Sequence, residues 1–355
     1  MQATQESWQT REIYEVLVIG AGQAGLALGY YLQQQKKNFL LLDASPRVGD
    51  SWRNRYDSLR LFTPAPYCNL PGWPLPLPKD HYPTKDEIAD YLEQYAQRFQ
   101  LPLTLEQKVV ALTKTDGIFQ VQTQKQFFQA KQIVVATGQF QRPFVPNYAT
   151  NPADSVLQLH SSQYRNPAQI PTGKVLIVGA GNSGAQLAVE LAQTHEVHLS
   201  VKRPPRFYPL QLLGRSVFWW ASKTGAIYAP PTSFLGKKML KQADVVYGRE
   251  LEVLLQKGVV QLRPEIRAFD QEQVIFQDGT QSSFSSILWA TGFRPDYNWL
   301  QIPGAIAANG APVHHNGISP VAGLFYLGLS WQRSRGSALL LGAGRDARYI
   351  AERLA

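Results

Sequence analysis

Two glycine-rich turns, each leaving a β-branched apolar run, constrain this 355-residue chain more than any other feature. The first is Gly20-Ala21-Gly22-Gln23-Ala24-Gly25, after Val16-Leu17-Val18-Ile19. The second is Gly179-Ala180-Gly181-Asn182-Ser183-Gly184, after Val175-Leu176-Ile177-Val178. One GxGxxG carries little weight, but a pair, each between a strand and a helix, requires two dinucleotide-binding βα units. The expectation is an α/β chain that binds two phosphate-bearing cofactors and moves electrons between them.

In the first unit, Gly20 permits the tight turn and Gly22 lets backbone N–H groups approach a pyrophosphate. Gly25 lets the helix pack close to the strand. The helix beginning at Ala24 aims its dipole at that phosphate, with Gln23 beside it. The next strand, Phe39-Leu40-Leu41-Leu42, ends in Asp43, an acid placed to accept ribose hydroxyls or to act as a turn residue. Thr84, with Glu87 three residues later, reads as a capping box opening a helix to about Phe99. A strand near Val109 to Leu112 contributes Val110 to the expected cofactor site, and a hairpin spans Gly117 to Ala130. The run Ile133-Val134-Val135 then delivers Ala136-Thr137-Gly138 to a sheet end.

The second unit repeats the pattern with Gly179, Gly181, Asn182, Ser183 and Gly184, but its following strand ends in Lys202-Arg203 rather than an acid. Basic groups there accommodate the 2′-phosphate of NADPH, and an arginine fork pairs two phosphate oxygens at once. The plainer reading is that they flank Pro204-Pro205 on the surface. Ala290-Thr291-Gly292 mirrors Ala136-Thr137-Gly138, so the two tripeptides read as crossings between two Rossmann-like domains. The expected layout is a discontinuous FAD domain (1–165 and 288–355) with an NADPH domain (166–287) inserted. An aromatic-rich insertion covers 204–245.

Composition narrows the chemistry. A single cysteine, Cys68, excludes a CxxC redox pair within the chain, and a packing role suits it. Net charge is +9, yet no basic stripe with interleaved aromatics points to nucleic acid. No apolar run reaches the roughly 20 residues of a membrane span, and Met1 to Arg11 lacks a signal-peptide core. A cytoplasmic enzyme, monomer or homodimer, is the expectation.

At these residues the chain resembles the class B flavoprotein monooxygenases, which include flavin-containing monooxygenases and YUCCA-type enzymes, and it is most similar to their bacterial CzcO-like branch. The resemblance rests on His160-Ser161-Ser162-Gln163-Tyr164, which matches the end of the FxGxxxHxxx(F/Y) motif. Asp154 and Val156 stand where that motif has Phe and Gly. Gly49 to Trp52, Tyr82-Pro83-Thr84, Ala290 to Pro295, Arg335 to Ala338 and Gly344 to Ala347 match as well. The family's Asn near the flavin is replaced by Thr63.

The resemblance implies an FAD-dependent, NADPH-consuming monooxygenase that forms a flavin hydroperoxide from O2 and oxygenates a small organic substrate. Thr63, His160 and Tyr164 are its candidate catalytic residues, and Trp52 joins the flavin wall. His160 reads as a brace near the nicotinamide or as an acid–base group. Two alternatives stay open: an NADPH oxidase or reductase producing peroxide or serving a partner, and a non-catalytic redox-sensing flavoprotein. The aromatic segment Leu210 to Pro230 reads as a covering helix, a substrate gate or a membrane contact. A C-terminal helix within Ser337 to Leu354 is expected to start near Arg335 to Ala338 and to break near Gly342-Ala343-Gly344.

Overall fold

The computed structural model describes residues 12–147, 155–241 and 245–354. Asp154 and the stretch from Met1 to Arg11 lie outside the described residues.

Runs such as Val16-Leu17-Val18 and Leu40-Leu41-Leu42 are apolar on both faces, which suits parallel strands covered on both sides. They build a first sheet in the order 103–104, 39–42, 13–19, 127–135, 118–123, 109–115, with Leu324–Tyr326 pairing alongside Phe127–Val135. The pairs 13–19/39–42, 13–19/127–135 and 127–135/324–326 are parallel, whereas 118–123 and 127–135 form the expected antiparallel hairpin, which 109–115 extends by pairing with 118–123. Helices Gln23–Gln34, Lys85–Arg98 and Leu340–Ala351 cover one face and share a core with Leu26, Leu92 and Ile350. The capping box is present: the Thr84 hydroxyl accepts from the Glu87 N–H, and the Glu87 carboxylate accepts from the Thr84 N–H.

The second sheet is parallel throughout, in the order 260–263, 196–200, 174–178, 286–289, 157–160. Helix Asn182–Leu191 packs on it through Leu187, Ala188 and Leu191. The expected boundaries at 165 and 288 cut across this sheet, because Leu157–His160 and Ser286–Trp289 both belong to it. The pairing decides the membership: Trp289 lies opposite both His160 and Val178. The chain passes between the sheets through an antiparallel ribbon, Arg142–Pro143 against Phe293–Arg294.

The C-terminal helix begins at Leu340 and runs unbroken through Gly342 and Gly344. Both glycines serve close approach. A Cβ on Gly342 would lie 2.1 Å from the Gly336 carbonyl oxygen, and one on Gly344 would lie 2.9 Å from Cγ of Pro71. Interior glycine costs a helix about 1 kcal/mol each, a penalty offset here by tight packing.

Candidate functional site

The two glycine turns have the same geometry. Gly20 has φ +109° and Gly179 φ +100°, conformations that L side chains rarely adopt. A Cβ would lie 2.6 Å from the Ala136 carbonyl oxygen at Gly20 and 2.7 Å from that of Ala290 at Gly179. Ala136-Thr137-Gly138 and Ala290-Thr291-Gly292 are thus pressed against equivalent turns. At Gly25 and Gly184 a Cβ would collide at 1.9 Å with the carbonyl of Gly20 or Gly179. At Gly22 and Gly181 it would meet nothing within 4 Å. These two residues are the N-caps of helices Gln23–Gln34 and Asn182–Leu191, and no side chain caps either helix. Two helix N-termini therefore present first-turn N–H groups to open space, the arrangement that suits an anionic phosphate.

A cavity of about 850 Å³ lies against the first turn and reaches the second unit. Gly20, Gly22, Gln23, Ala24, Asp43 and Trp52 line it from the first unit. Thr63 and Ala136-Thr137-Gly138 join from neighbouring loops, and Asn182 and Ser183 from the second unit. Asp43 is held by two backbone donors: Oδ2 accepts from Ala21 N–H at 2.7 Å and Oδ1 from Ser45 N–H at 2.8 Å. Each carboxylate oxygen has a second lone pair, so the group keeps capacity for a ribose hydroxyl. Gln23 accepts from the Trp52 indole at 3.2 Å, placing both side chains on one wall. Asn182 is engaged differently, its Oδ1 accepting from Tyr247 N–H at 2.9 Å.

Other expected residues lie elsewhere. Val110 is 38% exposed and does not line the cavity, whereas its neighbour Val109 does. The register against Ile118–Thr123 shifts between Val109 and Ala111, so Val110 is the extra residue of a bulge and turns outward. Gly25 and Gly184 pack behind the turns, and Gly179, Gly181 and Ala290-Thr291-Gly292 are not part of the cavity wall. Lys202 and Arg203 line a separate recess of about 430 Å³ with Arg263 and Glu265, at the end of the strand Glu196–Ser200.

Tyr164 is fully buried in the second sheet's core and donates to Glu190 Oε2 at 2.9 Å. Burial, with Glu190 beside it, raises its pKa. Its position is that of a packing residue. His160 is 2% exposed and lies at the crossing, its Nε2 2.9 Å from the Gly292 carbonyl. Thr63 is buried, and its hydroxyl lies 3.2 Å from the Cys68 sulfur. Burial pushes the Cys68 thiol up to about 12, against the pull of the Thr63 hydrogen bond, so Cys68 is an inert packing group.

Several lining residues gave no signal in the sequence. The Arg55 guanidinium lies 4.9 Å from the Phe293 ring centre and 5.5 Å from that of Phe140, and burial lowers its pKa. Tyr56 donates to Gln186 Oε1 at 3.0 Å, joining the loop after Trp52 to the second unit's helix. Burial pushes the Tyr56 phenol up to about 12. They lie three and four residues after Trp52 but have no motif of their own, since their partners are more than 80 residues away.

Comparison with known proteins agrees with this geometry. Residues 17–208 match the family described as pyridine nucleotide-disulphide oxidoreductase. A CzcO-like oxidoreductase of Geobacillus kaustophilus is 48% identical over 340 residues, covering 96% of this chain and 98% of the relative. The chain belongs to the class B flavin monooxygenase-like family. An indole-3-pyruvate monooxygenase of the YUCCA group from Oryza sativa is 28% identical, covering 96% of this chain and 90% of its own length. The flavin-containing monooxygenase of Stenotrophomonas maltophilia superimposes with a TM-score of 0.79 at 28% identity, covering 97% of this chain and 98% of that one. The whole-chain match makes the protein an oxidoreductase enzyme with the family's α/β fold.

Proposed function

We propose that this protein is an FAD-dependent, NADPH-consuming monooxygenase acting on a small amine, sulfide or keto acid. One observation carries the reading: two uncapped, sterically open helix N-termini serve one chain, and both units contribute to a single cavity. The relatives named as flavin monooxygenases support it. A bound flavin would supply hydride acceptance and oxygen activation, chemistry that no side chain provides.

The chain's own residues then bind, orient and shield. Gly22 and Ala24 offer the first helix terminus to the FAD pyrophosphate, and Asp43 takes its ribose. Gly181 and Ser183 do the same for NADPH. Lys202 and Arg203, in their recess beside Arg263, would hold its 2′-phosphate. Gln23 and Trp52, tied together, form a wall that keeps water from the reacting centre. His160 and Tyr164 act as struts rather than as acid–base groups, since each is buried and already paired. Each domain is then the set of segments feeding one sheet.

A second reading has its own observation. Thr63 carries a hydroxyl, already 3.2 Å from the Cys68 sulfur, so its side chain supplies no amide donor at the family's Asn position. An NADPH oxidase releasing peroxide would tolerate that. Measuring NADPH oxidation, peroxide and oxygenated product together separates the two. Product in excess of peroxide supports the monooxygenase, whereas peroxide matching NADPH with every substrate class overturns it.

A further inference from the structure

The insertion after Lys202-Arg203 carries apolar side chains that the protein itself does not cover. Strands Gln211–Leu212 and Arg215–Ser216 form a hairpin whose two central residues, Leu213 (φ +50°) and Gly214 (φ +70°), are both left-handed. That turn favours Asn, Asp or Gly at the first central position. Here it holds a leucine that is 82% exposed. Neither backbone preference nor packing explains this residue. The hairpin cannot tuck it in, because the Trp220 indole donates to the Leu212 carbonyl at 2.9 Å and latches the hairpin to helix Val217–Lys223.

The next helix, Phe234–Leu240, repeats the arrangement. Its first residue, Phe234, is 86% exposed, and Leu235 and Leu240 are exposed too. A Cβ on Gly236 would lie 1.9 Å from the Pro230 carbonyl, so that face of the helix is fixed against the loop and Phe234 is held outward.

Within the segment that carries these side chains the charge has one sign. Arg215, Lys223, Lys237, Lys238 and Lys241 accompany them, and the sequence has no acidic residue between Glu196 and Asp244. The Trp219 ring lies near two of these cations, 5.6 Å from Arg215 and 5.9 Å from Lys223. Exposed leucine and phenylalanine, tryptophan and a segment charged with one sign are the elements of an in-plane membrane contact. No helix among the described residues is long and apolar enough to cross a membrane, so the contact is peripheral. A second copy of this chain is a poor occupant, because it would bring the same cationic segment against itself.

We propose that this insertion docks the protein on an anionic lipid surface, with Leu213 and Phe234 entering the headgroup region and the lysines facing the lipid charge. The proposal does not depend on the monooxygenase reading, because none of these residues lines the large cavity.

The test is co-sedimentation of the full, flavin-loaded chain with vesicles of phosphatidylcholine, with and without phosphatidylglycerol. Binding is expected only to the anionic vesicles, with a blue shift of tryptophan emission and release at high salt. The variant K237Q/K238Q/K241Q is expected to bind roughly a hundredfold more weakly, at about tenfold or less per lysine. L213N/F234Q is expected to lose about tenfold or more. Leu213→Asn suits the left-handed turn, so weakened binding cannot be ascribed to misfolding, and retained flavin colour checks the fold. No binding to anionic vesicles, or binding that both variants leave unchanged, overturns the proposal. So does a dimer in sedimentation velocity that L213N/F234Q abolishes, if it forms without any vesicle binding.

Discussion

His160 Nε2 lies 2.9 Å from the carbonyl oxygen of Gly292, so the imidazole ties one chain crossing to the other. The remaining contacts fix its protonation state. Nδ1 accepts from the Ser162 N–H at 3.2 Å, with the Ser162 hydroxyl at 2.9 Å, and Nε2–H therefore donates to Gly292. The ring meets Phe293 edge to face at 5.0 Å. A neutral ring with both nitrogens committed fits the proposed role of a strut.

His160→Phe keeps the ring contact with Phe293 and removes both hydrogen bonds. The expected cost is about 1–3 kcal/mol, because the Gly292 carbonyl and the Ser162 N–H lose a buried partner. Thermal unfolding measures the stability loss. A higher KM for NADPH with full flavin content is the expected kinetic effect, since the crossing lies beside the cavity wall at Ser161. A loss of kcat alone, with its pH profile altered and KM unchanged, would restore an acid–base role.

The glycine turns give a sharper contrast. Gly22→Ala and Gly181→Ala place a methyl in open space at φ −75° and −74°, so both variants should fold with nearly unchanged Tm. The methyl would occupy the space where a pyrophosphate approaches. Gly22→Ala is therefore expected to purify with little flavin. Gly181→Ala should keep its flavin and show a rise of tenfold or more in KM for NADPH. Gly25→Ala and Gly184→Ala, with a contact at 1.9 Å to backbone, should fail to fold. If all four behave alike, the open space at Gly22 and Gly181 is not a phosphate site.

That contrast also shows what a sequence carries and what it leaves out. The βα units, the Thr84–Glu87 capping box and the hairpins of 109–135 are local, because each is specified by residues within a turn or two of one another. The bulge that turns Val110 outward depends on register with Thr123 and Gln122. The strand Leu157–His160 joins the second sheet through Ser286–Trp289, almost 130 residues away, and no local pattern announces that pairing. Gly342 and Gly344 read as a helix break, because the close contacts with Gly336 and Pro71 that require them belong to the folded chain.

Coenzyme choice tests the second recess. Lys202 and Arg203 are exposed at the end of Glu196–Ser200, whereas Arg263 beside them already donates to His198 Nδ1 at 3.0 Å. The two exposed cations are therefore the proposed phosphate ligands. Lys202→Ala/Arg203→Ala is expected to lower the preference for NADPH over NADH by tenfold or more in kcat/KM, mostly through KM. An unchanged preference would leave the pair as surface flanks of Pro204.

Stability should fall on mild acidification, and three histidines set the window. His160, His198 and His314 are all held below the ordinary imidazole value of 6.5, with burial the largest cause. In each, Nδ1 accepts an N–H, from Ser162, Arg263 and Gly317 respectively, so a proton there would displace a donor. The unfolded chain binds the proton more readily than the folded one. Their contribution is therefore fully present above pH 6.5 and is lost as pH falls from there through the lower folded values. Asp346 has the opposite sign: burial raises its pKa, against the pull of Ser337 and Arg333, so its ionisation weakens the fold. That contribution lies lower, being fully present below the ordinary carboxylate value of 3.8 and lost as pH rises through the raised one. Denaturant midpoints from pH 8 down to about 5 should decline, and His198→Phe, which removes one of the three groups, should flatten the slope. A midpoint that rises across that range would mean the imidazoles are charged in the folded protein.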